Sequence, residues 1–330
     1  MRQRVFEDPR LIAETINAEH AREPIDCVIA SSTSAMRLLG TIRDHLRMAI
    51  FPMPDLPTLT ALDNKHSFAR ICAACDVSTP ETLFFATPGA VCLASIRNEI
   101  GYPCVVKPLG ASGGDGVRVI ASEGALAAAL SDRQGFLRDG LLIQRFMPGD
   151  DVGLSVFAQD GEILNWATFY CDGFWSTRFA DLPELLAAGR KLIAHTGYTG
   201  IANFDARRDP ETGAIRLLEC NPRFFRRVGA SRHCGLDFVA AGLASLNLSA
   251  GAAASLTKGR HLSPQDLVTP VGIRLVRSGS YSLRNMQRDA VEFLQDPVPG
   301  IAAMSSEIFK ATWGRFGLRR SGKAAKCPSA

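Results

Sequence analysis

Residues 102–117 read YPCVVKPLGASGGDGV, an apolar run that ends in a lysine and continues into a glycine-rich segment. The run Cys104–Lys107 is short, rich in valine and bounded by prolines, which predicts a buried strand. Four of the seven residues at 110–116 are glycine, so backbone N–H groups there can approach phosphate oxygens while Lys107 adds a point charge. The stretch predicts a phosphate-binding strand and loop, although a glycine-rich hairpin with a solvated lysine has the same composition.

Three familiar glycine motifs do not fit this loop. Walker A requires Gly-Lys-Ser/Thr, and a dinucleotide fingerprint opens a helix, whereas residues 117–120 read as strand. Residues 110–114 also match G-x-S-x-G, in which Ser112 would be a nucleophile. That motif needs a helix directly after the serine and a downstream Asp–His pair, and the sequence indicates neither. We therefore set the hydrolase interpretation aside.

Acidic and amide side chains recur further along the chain, in a predicted hairpin over residues 201–220. Glu219 and Asn221 are two residues apart on one strand, so both project from the same face, which Asp205 can reach from the partner strand. Such oxygen ligands suit Mg²⁺ that shares its coordination shell with phosphates. Arg223 can neutralise charge on a transferring phosphoryl group. The alternative is a solvated hairpin face with an ion pair.

Between these two regions, residues 141–151 read LLIQRFMPGDD. An apolar strand that runs into Pro-Gly and two acidic residues can be an ordinary strand end. It can also be a hinge whose backbone contacts an adenine edge while Asp151 binds ribose hydroxyls. The segment alone does not distinguish these interpretations.

Taken in order, these segments resemble the ATP-grasp superfamily, particularly the carboxylate–amine ligases and the carbamoyl-phosphate-synthetase-like members. The resemblance covers about residues 61–245. Its most specific part is Glu219-x-Asn221-Pro222-Arg223 together with the 14-residue separation from Asp205. The resemblance implies an α+β protein with an ATP-grasp fold, in which two α+β subdomains clasp ATP.

The same resemblance assigns nucleotide-binding residues. ATP and Mg²⁺ are the expected cofactors, with Mn²⁺ as a substitute for Mg²⁺. The expected contacts are Lys65 and Lys107 with the phosphates; Ser112, Gly113 and Gly114 as the lid above them; Gln144, Arg145 and Phe146 around adenine, largely through backbone groups; and Asp151 with ribose.

It also assigns the metal and the chemistry. Asp205, Glu219 and Asn221 are the expected metal ligands, and Arg223 and Lys107 the expected catalytic residues. The family's usual reaction phosphorylates a carboxylate to an acyl phosphate, which an amine or another nucleophile then attacks. We therefore expect an ATP-dependent, C–N-forming ligase that acts on a small carboxylate. A non-catalytic ATP-binding module or subunit and an ATP-grasp phosphotransferase are the alternatives.

Two positions depart from the family pattern. Arg145 stands where the family often has glutamate, and Asp205 replaces a longer side chain found in some members. The domain order expected from the resemblance is an incomplete N-terminal α/β domain, the ATP-grasp domain, a C-terminal extension and a basic tail, at 1–60, 61–258, 259–305 and 306–330. The first of these is short because the chain enters partway through the family's usual preceding domain.

Composition limits the partners. The net charge of +4 arises in the last 25 residues, which hold six basic residues and one glutamate, so the remainder is near neutral and no nucleic-acid-binding core is expected. Nine scattered cysteines favour a reduced, cytoplasmic protein. Residues 238–257 are uncharged but rich in Ala, Gly and Ser, which argues against a membrane span. A homodimer is compatible with the sequence.

Overall fold

The computed structural model describes residues 8–109, 116–131, 140–172, 176–225 and 227–262, with residues 274, 276 and 277. The expected lid residues Ser112, Gly113 and Gly114 lie outside these ranges. The chain divides into one compact unit of residues 1–172 and 177–260, and a second of residues 173–176 and 261–330. The elements that position the site all belong to the first unit.

The N-terminal elements form a small parallel α/β layer. They are α1 (Pro9–Arg22), β1 (Cys27–Val28), α2 (Thr33–Ile42, followed by a 3₁₀ turn at Arg43–His45) and β2 (Ala49–Ile50). Strands β1 and β2 pair in parallel. Helix α2 begins at Thr33 because the Ser32 hydroxyl accepts the backbone N–H of Ala35. Its buried residues Met36 and Leu39 share a core with α1 and with the next helix.

Two short helices follow, α3 (Leu56–Asp63) and α4 (Lys65–Ala74). Asp55 caps α3 by accepting the N–H of Thr58. Asn64 ends α3 and caps α4, and its side-chain oxygen accepts the N–H groups of His66 and Ser67. The cap places Lys65 at the first position of α4.

A four-stranded antiparallel sheet comes next. Its elements are β3 (Thr82–Phe85, followed by a 3₁₀ turn at Pro88–Ala90), α5 (Leu93–Ser95, continued by a π-helical turn at Ile96–Ile100), β4 (Cys104–Pro108), β5 (Arg118–Ile120), α6 (Glu123–Ser131) and β6 (Leu141–Arg145). The strand order is β3-β6-β4-β5. Apolar side chains of α5, α6 and the sheet form one core. The predicted strands at 104–107 and 141–144 are confirmed.

The larger sheet has seven strands. Its elements and flanking helices are β7 (Asp150–Gln159), β8 (Glu162–Tyr170), β9 (Thr177–Phe179), α7 (Pro183–Thr196), β10 (Gly200–Arg208), β11 (Ile215–Asn221), α8 (Val228–His233), α9 (Phe238–Ala244), β12 (Ser255–Leu256) and β13 (Gly259–His261). The order is β11-β10-β7-β8-β9-β13, and β12 pairs with β8. The seven residues Val152–Ala158 of β7 are all buried, because helices or loops cover both faces of this strand.

The structure confirms the α+β class and the hairpin over residues 201–220, in which β10 and β11 are antiparallel. In the described part of the chain, no helix is long and apolar enough to cross a lipid bilayer. The uncharged stretch that begins at Phe238 contributes the seven-residue helix α9.

Candidate functional site

The β10–β11 hairpin carries a carboxylate pair. Asp205 lies directly opposite Glu219, and Asn203 lies opposite Asn221, with an irregularity in the pairing immediately after Asp205. Directly opposed residues of an antiparallel pair share a face of the sheet. The Nδ2 group of Asn203 donates to Asp205 Oδ1 at 2.8 Å, and that of Asn221 donates to Asp205 Oδ2 at 2.9 Å. Both oxygens of Asp205 are therefore held by amides.

The pair is electrostatically strained. Burial raises the pKa of Asp205, and the negative charge of Glu219 raises it further, to about 7, although the hydrogen bond from Asn203 opposes the shift. Two nearby carboxylates cannot both ionise at low cost unless a cation lies between them. A divalent cation in place of the proton would remove this repulsion.

The oxygen ligands here fit Mg²⁺. Asn221 uses its Nδ2 group towards Asp205, which leaves its side-chain oxygen as a ligand beside those of Asp205 and Glu219. The described residues contain no group of three or more His, Cys, Asp or Glu side chains that could enclose an ion. Mg²⁺ retains water and phosphate ligands when proteins supply only one or two carboxylates. The predicted ligand set is thus suited to an ion that is shared with a nucleotide.

Lys65 adds positive charge to this face. It is the first residue of α4, and its Nζ lies 3.8 Å from Glu219 Oε2. Both side chains are mostly buried, with 15% and 31% of their surface exposed. The helix cap at Asn64 and the register of β11 therefore bring together two residues that are 154 positions apart in the sequence.

Lys107 lies on β4 and is buried, with 8% of its surface exposed. Its Nζ donates to Gln144 Oε1 at 2.9 Å, Gln144 Nε2 donates to Thr82 Oγ1 at 2.9 Å, and the Thr82 hydroxyl donates to the carbonyl of Pro80. This chain of donors fixes the Gln144 amide with its oxygen towards the lysine. The acceptor is neutral, so the charge of Lys107 remains available to an anion.

Burial lowers the pKa of Lys107, whereas the charges of Glu219 and Asp205 oppose this shift and that of Lys65 adds to it. The charges that act on Lys107 thus belong to α4 and to the β10–β11 hairpin. Two lysines and two carboxylates at short range form a site that can hold both polyphosphate and a divalent cation.

The residues expected around adenine have other side-chain partners. Arg145 donates to Glu81 Oε2 and to the carbonyl of Glu99, both at 2.8 Å. Gln144 contacts Lys107, and the ring of Phe146 lies 5.7 Å from the Arg207 guanidinium. The backbone N–H of Arg145 is also engaged, since it donates to the carbonyl of Glu81 at 2.9 Å. The adenine assignment therefore stays a prediction.

Asp151, the expected ribose ligand, lies at the start of β7 with 61% of its side chain exposed. Its Oδ1 is 3.5 Å from Arg207 Nε, and Arg207 also donates to the carbonyl of Gly149. The carboxylate is accessible to a hydroxyl ligand and lies beside the positive charge of Arg207.

Arg223 follows the hairpin. Its backbone N–H donates to the carbonyl of Asn221 at 2.8 Å, and its Nε donates to the Thr33 hydroxyl, at 3.1 Å, at the start of α2. The expected catalytic arginine is thus two residues beyond the expected metal ligand Asn221 and is held by the N-terminal layer.

Sequence reasoning missed the residues that orient the site, among them Asn203, Thr82, Thr33 and Arg207. Asn203 could have been found, because it is two residues before Asp205 on the same strand and so shares its face. No spacing rule links Thr82 to Gln144 or Thr33 to Arg223.

Residues 64–154 match the family model described as "Carbamoyl-phosphate synthase L chain, ATP binding domain". The chain has an ATP-grasp fold. The expected resemblance is confirmed, and the matched segment contains Lys65, Lys107 and the β6 strand end.

The formate-dependent phosphoribosylglycinamide formyltransferase of Anaeromyxobacter dehalogenans (strain 2CP-C) is 38% identical over 94 residues, which are 27% of this chain and 24% of that protein. The ATP-grasp chain thus spans about a quarter of this curated relative.

Solved ATP-grasp structures show the same fold at low identity. A biotin carboxylase–β-γ-ATP complex from Campylobacter jejuni has a TM-score of 0.61 at 16% identity. The match covers 75% of this chain and 60% of the biotin carboxylase chain. A second structure is the biotin carboxylase domain of the Hydrogenobacter thermophilus 2-oxoglutarate carboxylase, in complex with MgADP, ADP and bicarbonate. Its TM-score is 0.57 at 16% identity, and the match covers 69% of this chain and 55% of that chain.

Proposed function

We propose that this chain is an ATP- and Mg²⁺-dependent ligase that activates a small carboxylate as an acyl phosphate for attack by an amine or a similar nucleophile. The observation that carries the proposal is the placement of Lys65 Nζ 3.8 Å from Glu219 Oε2, with Asp205 directly opposite Glu219 and the buried Lys107 within the influence of both carboxylate charges. Such a site can neutralise the charge of a triphosphate.

Each residue has a role set by its surroundings. Lys107, held by the neutral Gln144, and Lys65 bind phosphate oxygens. Asp205, Glu219 and Asn221 hold Mg²⁺, which supplies the charge neutralisation that phosphoryl transfer requires. Arg223, two residues beyond Asn221 and held by Thr33, binds negative charge at the reacting end of the site.

The relatives support the reaction class. The name of the Anaeromyxobacter protein pairs formate, a carboxylate, with formyl transfer. The Hydrogenobacter structure contains MgADP and bicarbonate. A site for magnesium-bound nucleotide beside a site for a small acid is what the proposal requires of this chain. Mn²⁺ as a substitute, a homodimer and a cytoplasmic location remain predictions.

The test is a screen for Mg²⁺-dependent ADP release over small carboxylates and amines. For the acid that is active, we expect Glu219→Ala to lower kcat/KM by at least about 100-fold, since a metal ligand and the partner of Lys65 are lost. Glu211→Ala is the matched control, because Glu211 is an exposed glutamate in the turn of the same hairpin. It should keep full activity.

Two outcomes contradict the proposal. If ADP release survives in Glu219→Ala, the metal assignment is wrong. If ATP binds but no acid in the screen stimulates ADP release, the chain is a nucleotide-binding module and not a ligase.

A further inference from the structure

A row of polar side chains crosses three strands of the larger sheet next to Asp205. Ser155 on β7 lies directly opposite Asn203 on β10, and Asn203 lies opposite Asn221 on β11. Directly opposed residues share one face of a sheet. Asp205 shares this face as well, because it is two residues beyond Asn203 on the same strand. The row therefore belongs to the face that carries the carboxylate pair.

Hydrogen bonds connect Ser155 to Asp205 through one amide. The hydroxyl of Ser155 donates to Asn203 Oδ1 at 2.9 Å, and Asn203 Nδ2 donates to Asp205 Oδ1 at 2.8 Å. If the amide turned by half a rotation, its oxygen would face a carboxylate oxygen, and two acceptors would repel each other. The hydroxyl on one side and the carboxylate on the other therefore both favour the observed orientation of Asn203.

The connection is shielded from water. Ser155 and Asn203 have 1% and 5% of their surfaces exposed. Within the described ranges, Asn203 is the only hydrogen-bond partner of the Ser155 hydroxyl. The neighbours of Ser155 on β7, Leu154 and Val156, point to the other face and belong to an apolar core. A buried hydroxyl is costly unless it is bonded, so the contact with Asn203 is what makes a serine suitable at this position.

We infer that Ser155 and Asn203 are positioning residues of the magnesium site, an inference that rests on the metal role proposed above for Asp205. Ser155 orients the amide of Asn203, which fixes Asp205 Oδ1, while Asn221 fixes Oδ2 from the next strand. Each oxygen keeps a lone pair for the ion, because a carboxylate oxygen accepts more than one bond. Partners of this kind orient metal ligands and raise the affinity for the metal.

The test is titration calorimetry of ATP binding, in Mg²⁺ and in EDTA. We expect Ser155→Ala to weaken the binding of MgATP by about tenfold or more, since loss of an outer partner of a metal ligand has effects of this size. The affinity for ATP in EDTA should stay unchanged, because Lys65 and Lys107 remain in place. A general loss of structure would weaken both forms of ATP together.

Thr168→Val is the matched control. Thr168 also carries a buried hydroxyl in the larger sheet, which donates to the carbonyl of Ala180. It lies on β8 opposite Leu154 and so faces away from the row. The substitution removes a buried hydrogen-bonding group from the same sheet. It should lower the thermal stability and leave the affinity for MgATP at the native value.

A double variant shows whether Ser155 acts through Asn203. Asn203→Ala should weaken the binding of MgATP at least as much as Ser155→Ala. The combination of both substitutions should be no weaker than Asn203→Ala alone, because residues that act in sequence are not additive. If Ser155→Ala does not fold, Ser155→Cys keeps a side chain of similar size with a weaker donor. It should weaken MgATP binding in the same direction.

The outcomes separate this inference from the proposed function. If Ser155→Ala binds MgATP like the native chain, loses affinity for both forms of ATP equally, or adds its full effect to that of Asn203→Ala, Ser155 does not position the metal ligand, although the metal site stands. If the native chain binds ATP equally well in Mg²⁺ and in EDTA, the metal assignment itself fails, and the positioning role with it.

Discussion

At the scale of single residues, the neutral side chain of Gln144 is what leaves Lys107 available to phosphate. The amide oxygen of Gln144 satisfies one hydrogen of the buried ammonium group, and its amide nitrogen is anchored on Thr82. A carboxylate at the same position would form an ion pair with Lys107, and a phosphate would then have to displace it. Gln144 is therefore a positioning residue that adds no competing charge.

We expect Gln144→Glu to weaken the binding of MgATP by about tenfold or more, since a carboxylate beside Lys107 pairs with it and repels the phosphates. Titration calorimetry of the variant measures the effect. Gln159→Glu is the matched control, because Gln159 is an exposed residue at the far end of β7, and its substitution should leave the affinity unchanged. Native affinity in Gln144→Glu would show that Lys107 does not bind the phosphates.

The residues expected in the site could be chosen from sequence patterns, whereas the contacts that hold Arg223 and Gln144 could not. Lys107, Asp205 and Glu219 stand in patterns that have a chemical meaning on their own. The bond from Arg223 to Thr33 spans 190 positions and the bond from Gln144 to Thr82 spans 62. Such contacts depend on how separate elements pack, and a residue type or spacing carries no information about them.

At the scale of elements, the start of α4 determines where Lys65 lies. Asn64 accepts two backbone N–H groups in the first turn of α4, and Asp55 accepts one in the first turn of α3. The two caps are alike in chemistry, but only the cap of α4 is followed by a residue of the site. The sequence Asp63-Asn64-Lys65 predicts a helix start here, because asparagine is a typical N-cap residue.

We expect Asn64→Ala and Asp55→Ala each to lower the free energy of unfolding by about 1 kcal/mol, the usual cost of a lost N-cap. Only Asn64→Ala should also weaken MgATP binding, because it loosens the first turn that holds Lys65. Urea denaturation and calorimetry at pH 7 measure the two effects. Equal affinity in both variants would show that Lys65 does not depend on its cap.

The pH dependence of the Asp55 cap has a defined sign. Hydrogen bonds with Thr58 lower the pKa of Asp55, so its contribution to stability is present at neutral pH and is lost as the pH falls through the lowered pKa. The destabilisation of Asp55→Ala should therefore disappear in acid. That of Asn64→Ala should persist there, because an amide does not titrate.

At the scale of the whole molecule, Phe51 joins the N-terminal layer to the larger sheet. Its ring centre lies 6.5 Å from that of Phe157 and 5.4 Å from that of Phe224, and 4% of its surface is exposed. Phe51 precedes three prolines in residues 52–57, a pattern that predicts a rigid connection. A partner for this ring could not be predicted, because the residues that surround it come from distant parts of the chain.

The other partner of Phe51 is Gly242 of α9, and its lack of a side chain is required. A Cβ built at Gly242 would lie 2.0 Å from the end of the Phe51 ring, which two other aromatic rings prevent from moving aside.

We expect Gly242→Ala to lower the free energy of unfolding by about 1–3 kcal/mol. Gly229→Ala is the matched control in helix α8, because a Cβ there meets nothing within 4 Å; it should be neutral or stabilising by up to about 1 kcal/mol. Urea denaturation of the two variants measures the difference. If Gly242→Ala is as stable as the native chain, Phe51 does not pack tightly against α9.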